Sequence, residues 1–296
     1  MNFGTIVPPL TPFTEDLKVD YDALRVGIDY VVERCRAEMV VAAGVEAQEY
    51  QYLSFDERKA LIKATIQAVG GRRPVVVGVS HPSFRTAIEL AHFAESLGAA
   101  AVQMLAPLKP TGGQPTTAEL VRYFELVARE TRLPIMLYLN SGPGADVSVP
   151  AALELVRLDQ IKFVKESSRD LTRVSRLITE IEHCGHARYF TTMQMLLISL
   201  QLGGSGVTLP PPAAEIARLV IDAYEAGELE RAIKLQKQFA IFPARWMSFG
   251  LAAVMKAASA HLGMRIGDPF PPYRPVEGED LKTLQAYVEK TVLWPG

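Results

Sequence analysis

The sequence predicts an α/β protein, a closed (β/α)8 TIM barrel followed by a C-terminal helical extension. Short apolar runs alternate with amphipathic stretches before residue 227. Several runs are apolar at nearly every position, which is typical of parallel strands covered on both faces. Eight such units in 296 residues fit a barrel, whose usual length is about 250 residues. The alternative is an open doubly wound sheet, but no glycine-rich phosphate-binding fingerprint follows an early strand.

Eight runs are predicted to form the strands of the barrel, and the last two are the weakest. Their β-branched and apolar side chains favour extended backbone over helix. In chain order the runs are residues 5–10, 39–43, 74–78, 101–105, 134–138, 161–165, 188–192 and 206–209.

Side chains that can cap helices precede the amphipathic stretches. Asp20 and Asp170 are predicted N-caps, and Ser54–Glu57 and Thr116–Glu119 have the capping-box pattern. In such a box each of the two side chains accepts a hydrogen bond from a free backbone amide of the other residue. Glycines stand where these helices should end, because glycine adopts the left-handed conformation of a helix terminus. They are Gly98, Gly203 and Gly227.

The chain after the last strand–helix unit is predicted to be helical. We therefore divide it into a barrel of residues 1–227 and an extension, 228–296, packed on the barrel. Apolar spacing predicts helices over residues 229–246, 248–262 and 280–293. The proline-rich segment Asp268–Pro275 should be a rigid connector, because each proline fixes φ and removes a donor.

Composition bounds the function. The formal net charge is −2, which gives no support for nucleic-acid binding. The two cysteines, Cys35 and Cys184, have neither metal-ligand spacing nor a disulfide framework, which favours a reducing compartment. The first residues lack the pattern of a signal peptide, and no apolar stretch is long enough to span a bilayer. We expect a cytoplasmic protein with no membrane partner.

Active residues of such barrels lie at the carboxyl ends of the strands. This rule selects the segment Gly44–Glu49, Tyr138, Lys165 and Thr208. Lys165 ends the run Ile161–Lys165, where strand alternation places it on one face with two large apolar residues. Burial there disfavours the ammonium form, and a neutral amine can attack a carbonyl carbon. The alternative is a strand-end lysine that extends into solvent along an apolar surface.

Tyr138 ends the neighbouring predicted strand. Its phenol could donate or relay protons during catalysis. The alternative is an aromatic residue of the core or the barrel mouth with one hydrogen bond.

Together these residues resemble the dihydrodipicolinate synthase/N-acetylneuraminate lyase family. The resemblance rests on Leu137–Tyr138 and on Val164–Asp170, which reads Val-Lys-Glu-Ser-Ser-Arg-Asp. Gly4–Phe13, Gly203–Val207 and Pro271–Pro275 are similar to the family's first strand and turn, strand-eight entry and late connector. The similarity runs along essentially the whole chain in matching order.

The resemblance implies a Schiff-base lyase, an aldolase or dehydratase. Lys165 would condense with the keto group of pyruvate or a related 2-oxo acid, and Tyr138 would shuttle protons. An aldehyde would be the second partner. No cofactor or metal is expected, because the iminium itself accepts the electrons. The family's usual assembly implies a homotetramer.

The segment after the second strand departs from the family pattern Gly-Thr-Thr-Gly-Glu. Here it reads Gly-Val-Glu-Ala-Gln-Glu over residues 44–49. Aligned on Glu49, Glu46 and Ala47 take the two threonine positions and Gln48 the second glycine. Ala47 cannot relay a proton, although backbone amides of these three residues could still bind a substrate carboxylate. Glu46 is either a solvated carboxylate or, if it points inward, a candidate general base.

Two further departures concern the partners of the tyrosine and the second substrate. The family's tyrosine pair after strand four is missing from residues 106–115. No arginine follows Tyr138 in Leu139–Gly144, where Asn140 offers a neutral hydrogen-bonding group instead. We therefore expect Asn140 and Thr208 to contact substrate, and a neutral or hydroxylated acceptor rather than that of the lysine-pathway synthase.

Two other functions compete with a lyase. A regulatory barrel that binds a 2-oxo acid without turnover is favoured by the altered segments after strands two and four. A phosphate-binding isomerase has little support, because residues 193–195 and 210–212 lack a glycine-rich amide nest. His183 and His186 are near each other but lack metal-site spacing, so we interpret them as helix-end residues.

Overall fold

The computed structural model describes residues 3–45, 49–109, 111 and 113–295. Its eight strands form a closed barrel in chain order, which confirms the predicted fold. The strands are β1 (Gly4–Val7), β2 (Met39–Ala42), β3 (Val75–Gly78), β4 (Ala101–Leu105), β5 (Ile135–Leu139), β6 (Ile161–Glu166), β7 (Arg188–Thr191) and β8 (Gly206–Thr208).

A helix follows each strand, as the alternating pattern predicts. The first turns are stabilised by the predicted caps: Asp20 accepts hydrogen bonds from two backbone amides, and both capping boxes form. The helices are α1 (Tyr21–Glu33), α2 (Phe55–Val69), α3 (Phe84–Ser96), α4 (Thr117–Ala128), α5 (Val149–Leu155), α6 (Leu171–Leu177), α7 (Leu196–Gln201) and α8 (Ala213–Glu225).

The register between β5 and β6 places the candidate site. Ile135 is level with Ile161, but the next residue, Met136, is level with Phe163, so the pairing skips Lys162. Because of this one-residue irregularity, Tyr138 is level with Lys165. Without the skip Tyr138 would be level with the residue before Lys165, and level residues on parallel strands share a face.

Contacts along the chain define two compact units. One contains Phe3 and residues 74–208, with a core of strand side chains such as Met104 and Leu137. The other contains residues 4–73 and 209–295. The division into residues 1–227 and 228–296 stays a prediction.

The C-terminal helices are shorter than predicted. The prediction of one continuous helix over residues 229–246 is wrong. Instead, α9 (Leu229–Gln236) leads into a 3-10 turn, and a second 3-10 turn covers Ala244–Phe249. Pro243 lies between them and has no backbone N–H for a helical hydrogen bond.

Two further helices complete the extension. They are α10 (Leu251–His261), which lies within the predicted stretch 248–262, and α11 (Gly278–Val288), which begins two residues before the predicted stretch 280–293 and ends five residues before its end. Over the described part of the chain, we find no helix long and apolar enough to cross a bilayer.

A buried ion pair joins α10 to the end of the segment after β2. Lys256 is only 1% exposed, and its Nζ lies 2.6 Å from Glu49 Oε2 and donates to the Asp268 carbonyl at 2.8 Å. The Phe270 amide donates to the other oxygen of Glu49 at 2.8 Å. Burial lowers the pKa of Lys256, and attraction to Glu49 opposes that change. The pair thus fixes Glu49 against the connector that follows α10.

Replacing Lys256 by methionine should lower the free energy of unfolding by about 3–5 kcal/mol, because Glu49 is left as an unpaired buried charge. The measurement is urea unfolding of Lys256→Met beside the double variant Lys256→Met/Glu49→Met. The double variant should recover much of the loss, since neither charge remains. Equal destabilisation of both variants would show that the charge pairing is not the cause.

Candidate functional site

Lys165 and Tyr138 form the centre of the site. Tyr138 is fully buried and Lys165 is 2% exposed. The Lys165 Nζ lies 3.9 Å from the centre of the Tyr138 ring, because the two residues are level on adjacent strands. A buried amine beside a phenol places a nucleophile next to a group that can donate or accept a proton. The interpretation of Lys165 as a lysine reaching into solvent does not fit this burial.

Asn140 contacts the tyrosine. Its Nδ2 donates to the Tyr138 hydroxyl oxygen at 2.7 Å, and its Oδ1 accepts from the Gly142 amide at 3.1 Å. The second bond fixes which side of the amide faces Tyr138, because a backbone N–H requires the oxygen. Binding of substrate by Asn140 stays a prediction.

The turn that carries Asn140 is held by close packing on the end of β4. The Gly144 amide donates to the Asn140 carbonyl at 3.1 Å, and the Ala145 amide donates to the Ala106 carbonyl at 2.9 Å. A Cβ on Gly144 would lie 2.7 Å from Leu105 Cγ and 2.8 Å from the Ala106 oxygen. Glycine is therefore required here for the close approach of the turn to β4.

Ser167 supplies a second contact to the tyrosine. Its Oγ donates to the Tyr138 hydroxyl at 3.3 Å, and its amide donates to the Leu139 carbonyl at 3.0 Å. The sequence interpretation assigned no role to Ser167. Strand alternation could have found it, because Ser167 is two residues after Lys165 and should face the same way.

Glu166 stabilises the turn after β6 from the other face. Its carboxylate accepts from the Arg173 Nε at 2.8 Å and from the Ser168 amide at 2.9 Å. Burial raises the pKa of Glu166, and attraction to Arg173 opposes that rise. Asp170 caps α6 as predicted and so places Arg173 in the first turn of that helix. Sequence reasoning also missed this pair.

A polar cavity of about 140 Å³ opens beside these residues. Arg173 contributes one positive charge to its lining, whereas Glu166 and Asp146 contribute two carboxylates. The cavity thus carries no net positive charge to attract an anion. The remaining polar lining consists of neutral groups: Asn140, Ser141, Ser167 and Ser168.

Of the other predicted site residues, the structure describes only Thr208. Thr208 ends β8, and its buried hydroxyl has no hydrogen-bond partner among the described residues, which suits a ligand contact. Glu46, Ala47 and Gln48 lie outside the described residues, so their predicted roles are not tested. Within residues 3–45, 49–109, 111 and 113–295, no three side chains of His, Cys, Asp or Glu are grouped to hold a metal ion.

The chain is similar to proteins of one family over nearly its whole length. The model of the dihydrodipicolinate synthetase family matches residues 1–291. A 4-hydroxy-tetrahydrodipicolinate synthase of Moorella thermoacetica is 28% identical over 298 residues, 99% of this chain and 100% of the relative. The enzyme of that name from Methanopyrus kandleri is 30% identical over 298 residues, 99% of this chain and 97% of the relative.

Solved structures of the family share the fold. YagE, a prophage protein of the dihydrodipicolinic acid synthase family from E. coli K12, was solved in complex with pyruvate. It superimposes with a TM-score of 0.87 at 24% identity, covering 97% of this chain and 98% of that chain. The family match and the closed barrel agree. The chain therefore belongs to the dihydrodipicolinate synthetase family, and it is a lyase.

Proposed function

We propose that the protein is an aldolase or dehydratase that forms a Schiff base between Lys165 and a 2-oxo acid such as pyruvate. The observation that carries the proposal is the buried Lys165 amine, 3.9 Å from the centre of the Tyr138 ring. A desolvated amine is a better nucleophile than a hydrated ammonium. The pyruvate complex of YagE makes pyruvate the natural first probe.

The proposed reaction has four steps. The Lys165 amine adds to the keto carbon, and loss of water gives an iminium. Loss of a proton from the adjacent carbon gives an enamine. That carbon bonds to an aldehyde carbon, whose oxygen gains a proton, or in the dehydrating direction a leaving group departs. Water then hydrolyses the iminium and releases the product and Lys165. Tyr138 moves the protons, because its hydroxyl can both donate and accept.

We propose that the acceptor is neutral or hydroxylated, such as a sugar-acid fragment or an aromatic aldehyde, although relatives of the chain are named 4-hydroxy-tetrahydrodipicolinate synthases. Leu139–Gly144 contains no arginine. The nearby Arg173 is ion-paired with Glu166, and Asp146 adds a second carboxylate to the lining of the same cavity. An acceptor carboxylate would therefore find no unmatched positive charge there.

The test of Schiff-base formation is trapping. The wild-type protein is incubated with pyruvate and borohydride, and intact mass and peptide mapping locate the reduced adduct. An adduct on Lys165 is expected. Absence of an adduct with pyruvate and with a panel of other 2-oxo acids would contradict the proposal.

Acceptor choice is tested separately with pyruvate and three aldehydes: glyceraldehyde, benzaldehyde and the anionic glyoxylate. We expect kcat/KM for a neutral aldehyde to exceed that for glyoxylate. A clear preference for glyoxylate would contradict the proposed acceptor class. An adduct with turnover on none of these would favour the regulatory, 2-oxo-acid-binding barrel instead.

Assembly and location stay predictions. We propose a homotetramer by resemblance to the family, to be checked by light scattering. A cytoplasmic location rests on the sparse cysteines, and neither nucleic acid nor membrane is a proposed partner.

A further inference from the structure

Proton transfer by Tyr138 needs a second group that returns the phenol to its starting state. We propose that Ser167 is this group, a further catalytic residue that relays protons between Tyr138 and the polar cavity, while Asn140 positions the tyrosine oxygen. The inference rests on the proposed function. Both partners of the tyrosine, Asn140 and Ser167, lie with it in the compact unit that contains residues 74–208. It concerns the exchange of protons, not the formation of the Schiff base.

Asn140 cannot itself carry the proton. Its Nδ2 faces the Tyr138 oxygen because its Oδ1 is engaged by the Gly142 amide. An amide nitrogen only donates and does not accept a proton at neutral pH. It therefore holds one lone pair of the Tyr138 oxygen and favours negative charge on that oxygen while a proton moves.

Ser167 has the chemistry that a relay requires. A hydroxyl donates one hydrogen bond and accepts others, so the bond between Ser167 Oγ and the Tyr138 hydroxyl can run in either direction. Its backbone is fixed by the bond from its amide to the Leu139 carbonyl. The next residue is fixed as well, by the bond from the Ser168 amide to Glu166. The serine side chain is thus positioned from both sides of the turn.

The cavity gives the proton a destination. Ser167 lines it together with the two carboxylates, of which Asp146 is exposed to solvent. In the proposed step the Tyr138 oxygen takes a proton from the carbon next to the iminium. Tyr138 passes its own proton to Ser167, and Ser167 releases its proton to the cavity. One carbon–hydrogen bond breaks, one proton reaches the cavity, and both hydroxyls are restored.

The experiment measures deuterium incorporation into the methyl group of pyruvate in D2O by NMR, using Ser167→Ala, Ser167→Thr and wild type. A general acid–base group typically raises the reaction rate by about 10²–10⁴-fold. Ser167 acts one proton transfer away from the substrate, so its contribution to the rate should be smaller. We therefore expect deuterium exchange by Ser167→Ala to slow by about 10–100-fold. Borohydride trapping by Ser167→Ala should stay close to wild type. Ser167→Thr keeps the hydroxyl and should restore most of the exchange rate.

The matched control is Ser175→Ala on α6, which removes an exposed hydroxyl bonded to the Thr172 carbonyl. It should exchange like wild type. Wild-type exchange by Ser167→Ala, or failure of a folded Ser167→Thr to exceed Ser167→Ala, would overturn the relay. Asn140→Ala provides a second test and should slow exchange with trapping retained; unchanged exchange would overturn its positioning role. A missing adduct in the wild type would instead contradict the proposed function.

Discussion

Replacement of Lys165 by alanine should abolish the borohydride-trapped adduct and lower kcat/KM by on the order of 10⁴–10⁶, the range expected when a covalent nucleophile is lost. Among the described residues, the other buried lysine is Lys256, whose amine is ion-paired with Glu49. The measurements are intact mass after reduction and steady-state kinetics on the best acceptor from the aldehyde panel.

Two further variants make this result specific. Lys162→Ala removes an exposed lysine from the same strand, at the residue that the β5–β6 register skips, and should trap pyruvate like wild type. Lys165→Met keeps most of the buried volume, so a folded but inactive Lys165→Met excludes misfolding as the cause. An adduct that persists in Lys165→Met would place the Schiff base on another residue.

Tyr138→Phe should lower kcat by about 10²–10⁴-fold, the usual contribution of a general acid–base group to the rate. The borohydride-trapped adduct on Lys165 should still form. The substitution removes only the hydroxyl and leaves the ring beside Lys165. It also leaves the donors of Asn140 and Ser167 without their acceptor, so the proton path is interrupted at its centre. The measurements are kcat/KM with the best acceptor and deuterium exchange into pyruvate.

The matched control for this variant is Tyr189→Phe. Tyr189 is also a fully buried strand tyrosine, and its hydroxyl has no hydrogen-bond partner among the described residues. It is level with Val164 rather than with Lys165. Wild-type turnover is therefore expected. Equal losses from Tyr138→Phe and Tyr189→Phe would indicate that a buried hydroxyl acts through packing and not through proton transfer.

The fold could be predicted from the sequence because the signals for helices and strands are local. Capping side chains at Asp20 and at Ser54–Glu57, and apolar runs such as residues 101–105, each act within a few residues. Lys165 and Tyr138 were found for a related reason, since the ends of neighbouring parallel strands meet at one edge of a barrel.

Other features depend on contacts that no short window contains. Nothing in the sequence around Lys162 indicates that the pairing of β5 with β6 skips this residue. The skip nevertheless determines which residue of β6 is level with Tyr138. Glu49 and Lys256 pair across a long stretch of sequence, so their link could not be predicted from either segment. Pro243 can be recognised in the sequence as a helix breaker, but the prediction of one helix over residues 229–246 gave more weight to the apolar spacing and was wrong.

The contact of Asn140 with the tyrosine shows why a residue can be identified while its role is not. The sequence marked Asn140 as a neutral group that replaces an arginine. The direction of its side chain depends on the turn closed by Gly144 and on the Gly142 amide. Such turns are defined by their packing on neighbouring elements rather than by residue type alone.

Lys165, Tyr138 and two groups that donate to the Tyr138 oxygen, Asn140 and Ser167, lie between residues 138 and 167. The codons for the residues of the proposed Schiff-base chemistry thus occupy one short stretch of the gene, whereas Gly44–Gln48 are encoded well upstream. A combinatorial library restricted to codons 45–48, which spares the ion-paired Glu49, would test the predicted contact of this segment with the substrate carboxylate by directed evolution.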